Sequence, residues 1–123
     1  MRSAPKFRFQ DLEIWVDAIE VGGKLCGIAA DFENRKHFKF AEQLRGAALS
    51  ISNNIAEGSG STSKKEFQQF LNYARRSVFE NANMLLFFVA QGQLQEDQII
   101  NLLERLDHLS AKILRFSRSL NGV

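Results

Sequence analysis

The sequence is poor in the residues that cross-link, interrupt or embed a chain. Cys26 is its one cysteine, so an intramolecular disulfide is impossible and a secreted disulfide scaffold is excluded. Pro5 is its one proline, which leaves every later position free to be helical. No apolar run approaches the roughly 18 residues of a membrane span, and the basic N-terminal residues lack the apolar core of a secretory signal. We expect a cytoplasmic protein without a membrane segment.

Positive and negative side chains are present in nearly equal numbers. The 16 basic and 14 acidic side chains give a net charge of +2, which is too small to indicate nucleic-acid binding by itself. The distribution is uneven, because residues 1–34 carry −2 and residues 35–123 carry +4. The basic side of the protein therefore belongs to its later part.

Apolar residues recur at steps of three and four, which is the pattern of amphipathic helices. Ser63 and Glu66 have the spacing of a capping box at the start of the third helix, and Gly92 is placed to end it. The links are short, so neighbouring helices should run antiparallel. The predicted helices cover about 11–30, 38–57, 63–92 and 96–120.

These features predict one all-α domain over residues 1–123. Its expected architecture is an antiparallel up-down-up-down four-helix bundle, with a short flexible N-terminal segment at about 1–9. The second face of the apolar stretch 84–90 is expected to contact another subunit. Glycines in the interior of the first helix, Gly22 and Gly23, indicate either a close helix crossing or a local kink. The positions predicted to face inward on that helix are Leu12, Trp15, Ile19 and Cys26.

Polar residues in the second and third helices need partners if they are buried. Glu80 lies near the apolar seam of the third helix, and Arg45 of the second helix is a candidate partner. Asn54 and Glu57 stand at the end of the second helix, where such groups cap carbonyls or bond across helices. Gly58 follows them and opens the turn.

A search for catalytic or metal-binding residues favours a protein that is not an enzyme. A di-iron bundle needs Glu-x-x-His pairs on facing helices, whereas Glu104 and His108 are four apart and occur once. His37 and His108 are interpreted as solvated, and Cys26 as a small buried thiol. We expect no metal and no cofactor.

Basic residues give a weak signal for phosphate binding. The turn at 58–65 is glycine-rich and ends at a helix N-terminus with Lys64 and Lys65, so it is either a flexible turn with a capped helix or a phosphate contact. Arg75 and Arg76 lie in the third helix, where arginines are usually only solvated. In the last helix a basic stripe is predicted from steps of three, and its members are Lys112, Arg115 and Arg118.

Three segments resemble a known bacterial family. They are FQDLEIW at 9–15, QLRGAALSISNNIAEG at 43–58 and SKKEFQQFL at 63–71. These segments are similar, in the same order, to the four-helix bundle proteins. That family includes the ribosomal-protein-like products of intervening sequences in large-subunit rRNA, and the accessory variability protein of diversity-generating retroelements.

The resemblance implies a bundle that assembles into a homopentamer. In the retroelement members it implies a basic outer surface that binds nucleic acid and a reverse transcriptase partner. Arg45 matches the first arginine of the family's QLRRAA pattern, whereas Gly46 replaces the second. Ser52 replaces a common proline, and residues 60–62 lack the arginines often found there. These departures remove charge or stiffness near the second turn, which makes strong nucleic-acid binding less expected.

Two functions are therefore expected. The first is a non-enzymatic oligomer that binds RNA, DNA or a nucleoprotein through basic helix faces. The alternative is a protein–protein interaction scaffold that does not bind nucleic acid. The predicted nucleic-acid contacts are Arg75, Arg76, Lys112, Arg115 and Arg118, followed by Lys64 and Lys65.

Overall fold

A computed structural model describes residues 3–121 of the protein, and it confirms an all-α fold of four long helices. A 3-10 turn at Arg8–Asp11 overlaps the end of the N-terminal segment, about 1–9, that was predicted to be flexible. Residues 1 and 2 of that segment lie outside the described range. Across residues 3–121 no helix is both long and apolar enough to cross a membrane. The helices are α1 (Glu13–Asn34), α2 (Phe38–Ser59), α3 (Lys64–Ala90) and α4 (Glu96–Ser119).

The ends of α3 follow the local signals in the sequence. The Ser63 hydroxyl accepts a hydrogen bond from the Glu66 N–H at 3.2 Å. The Glu66 side chain makes no reciprocal bond among the described residues, so half of the predicted capping box is formed. At the other end Gly92 has a φ of 75°, a conformation that glycine adopts cheaply.

Contacts between helices pair their residues in opposite sequence order, as in an antiparallel bundle. The Ser50 and Ser77 hydroxyls are 2.8 Å apart, and the Asn81 amide donates to the Ala47 carbonyl at 2.8 Å. A step of four residues forward on α3, from Ser77 to Asn81, therefore corresponds to a step of three residues back on α2, from Ser50 to Ala47. Similarly, Gln68 at the start of α3 donates to the Ser117 carbonyl at the end of α4 at 2.8 Å.

The buried face of α1 is rotated from the predicted one. Leu12, Trp15 and Cys26 are only half-buried, and Ile19 is 46% exposed. Apolar residues lie on more than one face of α1, so their spacing alone could not identify the buried face. The buried residues are Ile14, Ala18, Val21, Leu25, Ala29 and Phe32.

Two interior positions fix α2 against α3. Asn81 is fully buried, and its amide nitrogen donates to the carbonyls of Ala47 and Ser77, each at 2.8 Å. Gly58 is also buried, and a Cβ added there would lie 2.8 Å from atoms of both Phe67 and Phe70. By contrast α1 passes through Gly22 without a break, and a Cβ at this position would meet Ala48 only at an ordinary 3.8 Å.

Candidate nucleic-acid interface

Lys112 is held by the acidic face of α1. Its ammonium donates to a carboxylate oxygen of Glu13 at 2.6 Å and of Asp17 at 2.8 Å. The hydrogen bond to Asp17, followed by that to Glu13, raises the pKa of Lys112 above its usual value. Most of the positive charge predicted for phosphate contact at this position is therefore compensated within the protein.

The predicted stripe Lys112–Arg115–Arg118 does not lie on one line. An α-helix turns by about 100° per residue, so steps of three rotate the side chain by about 60° each time. Lys112 and Arg115 line a groove between α1 and α4, whereas Arg118 is not among the lining residues. Arg115 and Arg118 are both exposed, and no ion pair involves either of them among residues 3–121.

Two further residues of α4, Arg105 and His108, line the same groove, and neither is among the predicted nucleic-acid contacts. The spacing of residues 105, 108, 112 and 115 is three, four and three, which is the helical stripe that could have revealed them. The opposite wall carries Asp17 and Glu20. A polyanion inside this groove would meet these carboxylates, so phosphate contact is more favourable on the outer surface of α4.

A second basic region lies at the end of the bundle where α3 begins and α4 ends. Lys64 and Lys65 are exposed there, and Arg8 lies over the Phe67 ring, 5.5 Å from its centroid. The hydroxyls of the preceding turn are used internally, since Ser61 accepts a hydrogen bond from the Ser63 N–H at 3.1 Å. Gln68 joins this turn of α3 to the end of α4 that bears Arg118.

The two adjacent arginines of α3 have different surroundings. The Arg75 guanidinium lies over the Phe79 ring at 5.2 Å, and its Nε is buried without a hydrogen-bond partner among the described residues. Arg76 is exposed and lines an open cavity between α2 and α3 together with Tyr73 and Glu80. Arg76 is therefore the better placed of the pair for contact with a ligand.

The residues predicted to have structural roles mostly use other partners. Arg45 pairs with Glu33 of α1, and this hydrogen bond raises the pKa of Arg45. Glu80 is exposed, so the condition under which it would need a buried partner is not met, and the partner of Arg45 is Glu33. Arg45 lies on the α1 side of α2, whereas Glu80 lines open cavities between α2 and α3.

The polar residues at the end of α2 bond within that helix. Asn54 donates to the Ser50 carbonyl at 2.8 Å and to the Ser50 hydroxyl at 3.2 Å, so it neither caps the helix nor crosses to α3. The Glu57 side chain is exposed, while its carbonyl accepts from the Gly60 N–H at 3.1 Å. In the described part of the chain, no group of three or more His, Cys, Asp or Glu side chains could hold a metal ion.

Comparison with known protein families gives a match over most of the chain. The profile of the 23S rRNA-intervening sequence protein family matches residues 10–115. The chain belongs to this family. No curated protein matches the chain significantly. In this 23S rRNA-intervening sequence family member, the matched region contains all four helices except the last turn of α4, and it includes Arg76 and Arg115.

Proposed function

We propose that this protein is a non-enzymatic, oligomeric helical bundle that binds nucleic acid through exposed basic side chains of α3 and α4. The observation that carries the proposal is the difference between two sets of cations. Arg45 and Lys112 are bound to acids, whereas Arg76, Arg115 and Arg118 are exposed and take part in no ion pair within residues 3–121. Uncompensated arginines attract the phosphates of a nucleic-acid backbone and displace its counterions.

Membership of the family also supports nucleic-acid binding, because the family's description refers to sequences that interrupt 23S rRNA. This association makes an RNA the first nucleic acid to test. The basic residues at the end of the bundle, Lys64 and Lys65, extend the candidate surface from Arg118 towards α3. A nucleoprotein partner, including a reverse transcriptase, would be reached through the bound nucleic acid.

Self-association is supported by apolar residues that the single chain leaves uncovered. Leu86 and Ile100 are 52% and 47% exposed. The register set by Gln68 and Ser117 places Leu86 of α3 at about the level of Ile100 of α4, and we propose that these two side chains and the 48% exposed Phe87 act as one apolar patch. Burial of this patch against another copy would remove it from water, and a ring of copies would repeat the arginines and raise avidity.

The experiment is a binding titration with a mixed pool of short RNA and DNA, measured by fluorescence anisotropy at low and high salt. The double variant Arg115→Gln/Arg118→Gln should weaken binding and reduce the slope of log K against log salt by about 0.7–0.9 for each phosphate that the variant no longer neutralises. Arg45→Gln/Lys112→Gln is the matched control, because it also removes two positive charges and both are already paired with carboxylates. Absence of binding at low salt would contradict the proposal and favour a protein-interaction scaffold.

A further inference from the structure

Two aromatic residues and one arginine of α3, Tyr73, Arg76 and Phe79, line the same open cavity beside α2, and we call these three residues the row. The members of the row are spaced by three, so each side chain neighbours the next on the helix surface while its direction turns by about 60° at each step. The Phe70 and Tyr73 rings meet edge to face, with centroids 5.8 Å apart. Tyr73 and Phe79 are 38% and 57% exposed, so the bundle core does not account for their presence. The row offers two aromatic surfaces to solvent with a cation between them.

This row forms one side of an open cavity between α2 and α3. The cavity has a volume of about 690 Å³, and α2 contributes Ser50 and Asn54 to it. A neighbouring cavity of about 720 Å³ shares Ser50 and Glu80 with the first and continues to Lys39 near the start of α2. Together the two cavities make a continuous trough, which we call the α2–α3 trough. The volume of each cavity alone lies within the range of about 300–1,000 Å³ found for sites that bind small organic groups.

The charges in the α2–α3 trough favour a base over a bare phosphate. Glu80 and Arg76 line the same cavity, so a phosphate buried at its centre would meet a carboxylate as well as the guanidinium. A nucleobase has no net charge, and its amino group can donate a hydrogen bond to a glutamate, as cytosine does through N4. The phosphate attached to such a base could then lie outside the carboxylate's reach, beside Arg76.

The side chains around the trough are held in place before a ligand arrives. Arg75 covers one face of Phe79, with its guanidinium 5.2 Å from the ring centroid, and this contact orients the ring. Gln69 donates to the Tyr73 hydroxyl at 3.0 Å. The bonded hydroxyls of Ser50 and Ser77 and the Asn54 amide form the polar floor. An ordered stacking surface loses little conformational entropy when it binds a planar group.

We infer that the α2–α3 trough binds unpaired nucleobases of a single-stranded nucleic acid. Tyr73 and Phe79 provide the stacking surfaces, Arg76 contacts the adjoining phosphate and Glu80 accepts a hydrogen bond from a base amino group. A duplex cannot use this site, because its bases are stacked on one another and their amino groups are paired. The inference rests on the proposed function and adds to it the class of nucleic acid that is recognised.

The test compares one short RNA as a single strand and as a duplex, by fluorescence anisotropy at low salt. Tyr73→Ala and Phe79→Ala should each weaken single-strand binding by roughly tenfold, the usual cost of losing one stacked base, and should leave duplex binding unchanged. Tyr73→Phe should retain the affinity. Ile19→Ala is the control, because Ile19 is 46% exposed but lies on α1 and lines neither cavity of the trough. Circular dichroism checks that each variant is folded.

A second arm tests the role of Glu80 with oligocytidine and oligouridine. The wild-type protein should prefer oligocytidine, and Glu80→Ala should bring the ratio of the two affinities close to one. Equal affinity for single strand and duplex, unchanged by Tyr73→Ala and Phe79→Ala, would overturn the base site and leave the proposed function standing. A change in oligomer mass in Phe79→Ala, without a change in affinity, would overturn it in favour of a subunit contact. Absence of binding to either nucleic acid would overturn the proposed function as well.

Discussion

Lys112 of α4 is bonded to Asp17 of α1, with 2.8 Å between the ammonium nitrogen and the carboxylate oxygen. Glu13, one helical turn earlier, accepts a second hydrogen bond from the same ammonium at 2.6 Å. The pair joins the first helix to the last, so Lys112 closes the bundle rather than facing a ligand. Basic residues that the sequence of α4 does not distinguish therefore have different roles: Lys112 stabilises the bundle, whereas Arg115 and Arg118 are exposed and available to contact a ligand.

Replacing Lys112 should distinguish its role in stability from a role in nucleic-acid binding. Lys112→Gln should lower the free energy of unfolding by less than about 1 kcal/mol, the usual range for a partly exposed ion pair. It should change nucleic-acid affinity much less than Arg115→Gln, because Arg115 has no ion pair among the described residues. Urea denaturation and salt-dependent anisotropy on the two variants measure both effects. An equal loss of affinity in the two variants would show that Lys112 contacts the ligand directly.

The Lys112 ion pair should also depend on pH in a defined direction. Because its pKa is raised above the ordinary 10.5, the charged form is favoured in the folded state. The stabilisation is therefore complete below about pH 10 and is lost as the pH rises through the raised pKa. The difference in free energy of unfolding between wild type and Lys112→Gln should be constant from about pH 7 to 10 and should shrink above pH 10.5. A difference that stays constant up to about pH 12 would argue against the ion pair.

Gly58 and Gly46 should respond oppositely to alanine. In Gly58→Ala the new methyl group would lie 2.8 Å from atoms of Phe67 and Phe70, so we expect a loss of about 1–3 kcal/mol in the free energy of unfolding. In Gly46→Ala the methyl group meets nothing within 4 Å, and removal of a glycine from a helix interior should raise stability by up to about 1 kcal/mol. Thermal unfolding of both variants measures the contrast. An unchanged melting temperature in Gly58→Ala would mean that the α2–α3 corner can widen.

The patch formed by Leu86, Phe87 and Ile100 should control self-association. Leu86→Arg should reduce the molar mass found by light scattering coupled to size exclusion, because a charge in an apolar contact is costly to bury. Phe7→Arg is the control, since Phe7 is 61% exposed but lies at the opposite end of the bundle. A wild-type protein that is monomeric at all concentrations would contradict the oligomer expected from the family resemblance.

The fold could be predicted from the sequence further than the candidate sites could. Periodicity located four helices, and Ser63 and Gly92 marked the ends of α3, because these signals act within one helix. The buried face of α1 was predicted incorrectly, since Ile19 and Val21 have similar apolar character and only packing distinguishes them. Partners were the least predictable feature. The contacts of Lys112 with Glu13 and of Arg45 with Glu33 join different helices, and sequence spacing does not encode them.

The buried Asn81 determines how residues at the surface of α2 and α3 are aligned. A helix can slide over a purely apolar neighbour by one turn, about 5.4 Å, and find similar contacts. A buried amide cannot do so without leaving its hydrogen bonds unmade. The bond from Asn81 to Ala47 therefore also sets where Ser50 and Asn54 stand relative to Tyr73 and Arg76. Many surface substitutions in related sequences would therefore leave the trough aligned. A single substitution of Asn81, by contrast, would allow α2 and α3, the two walls of the trough, to slide past each other.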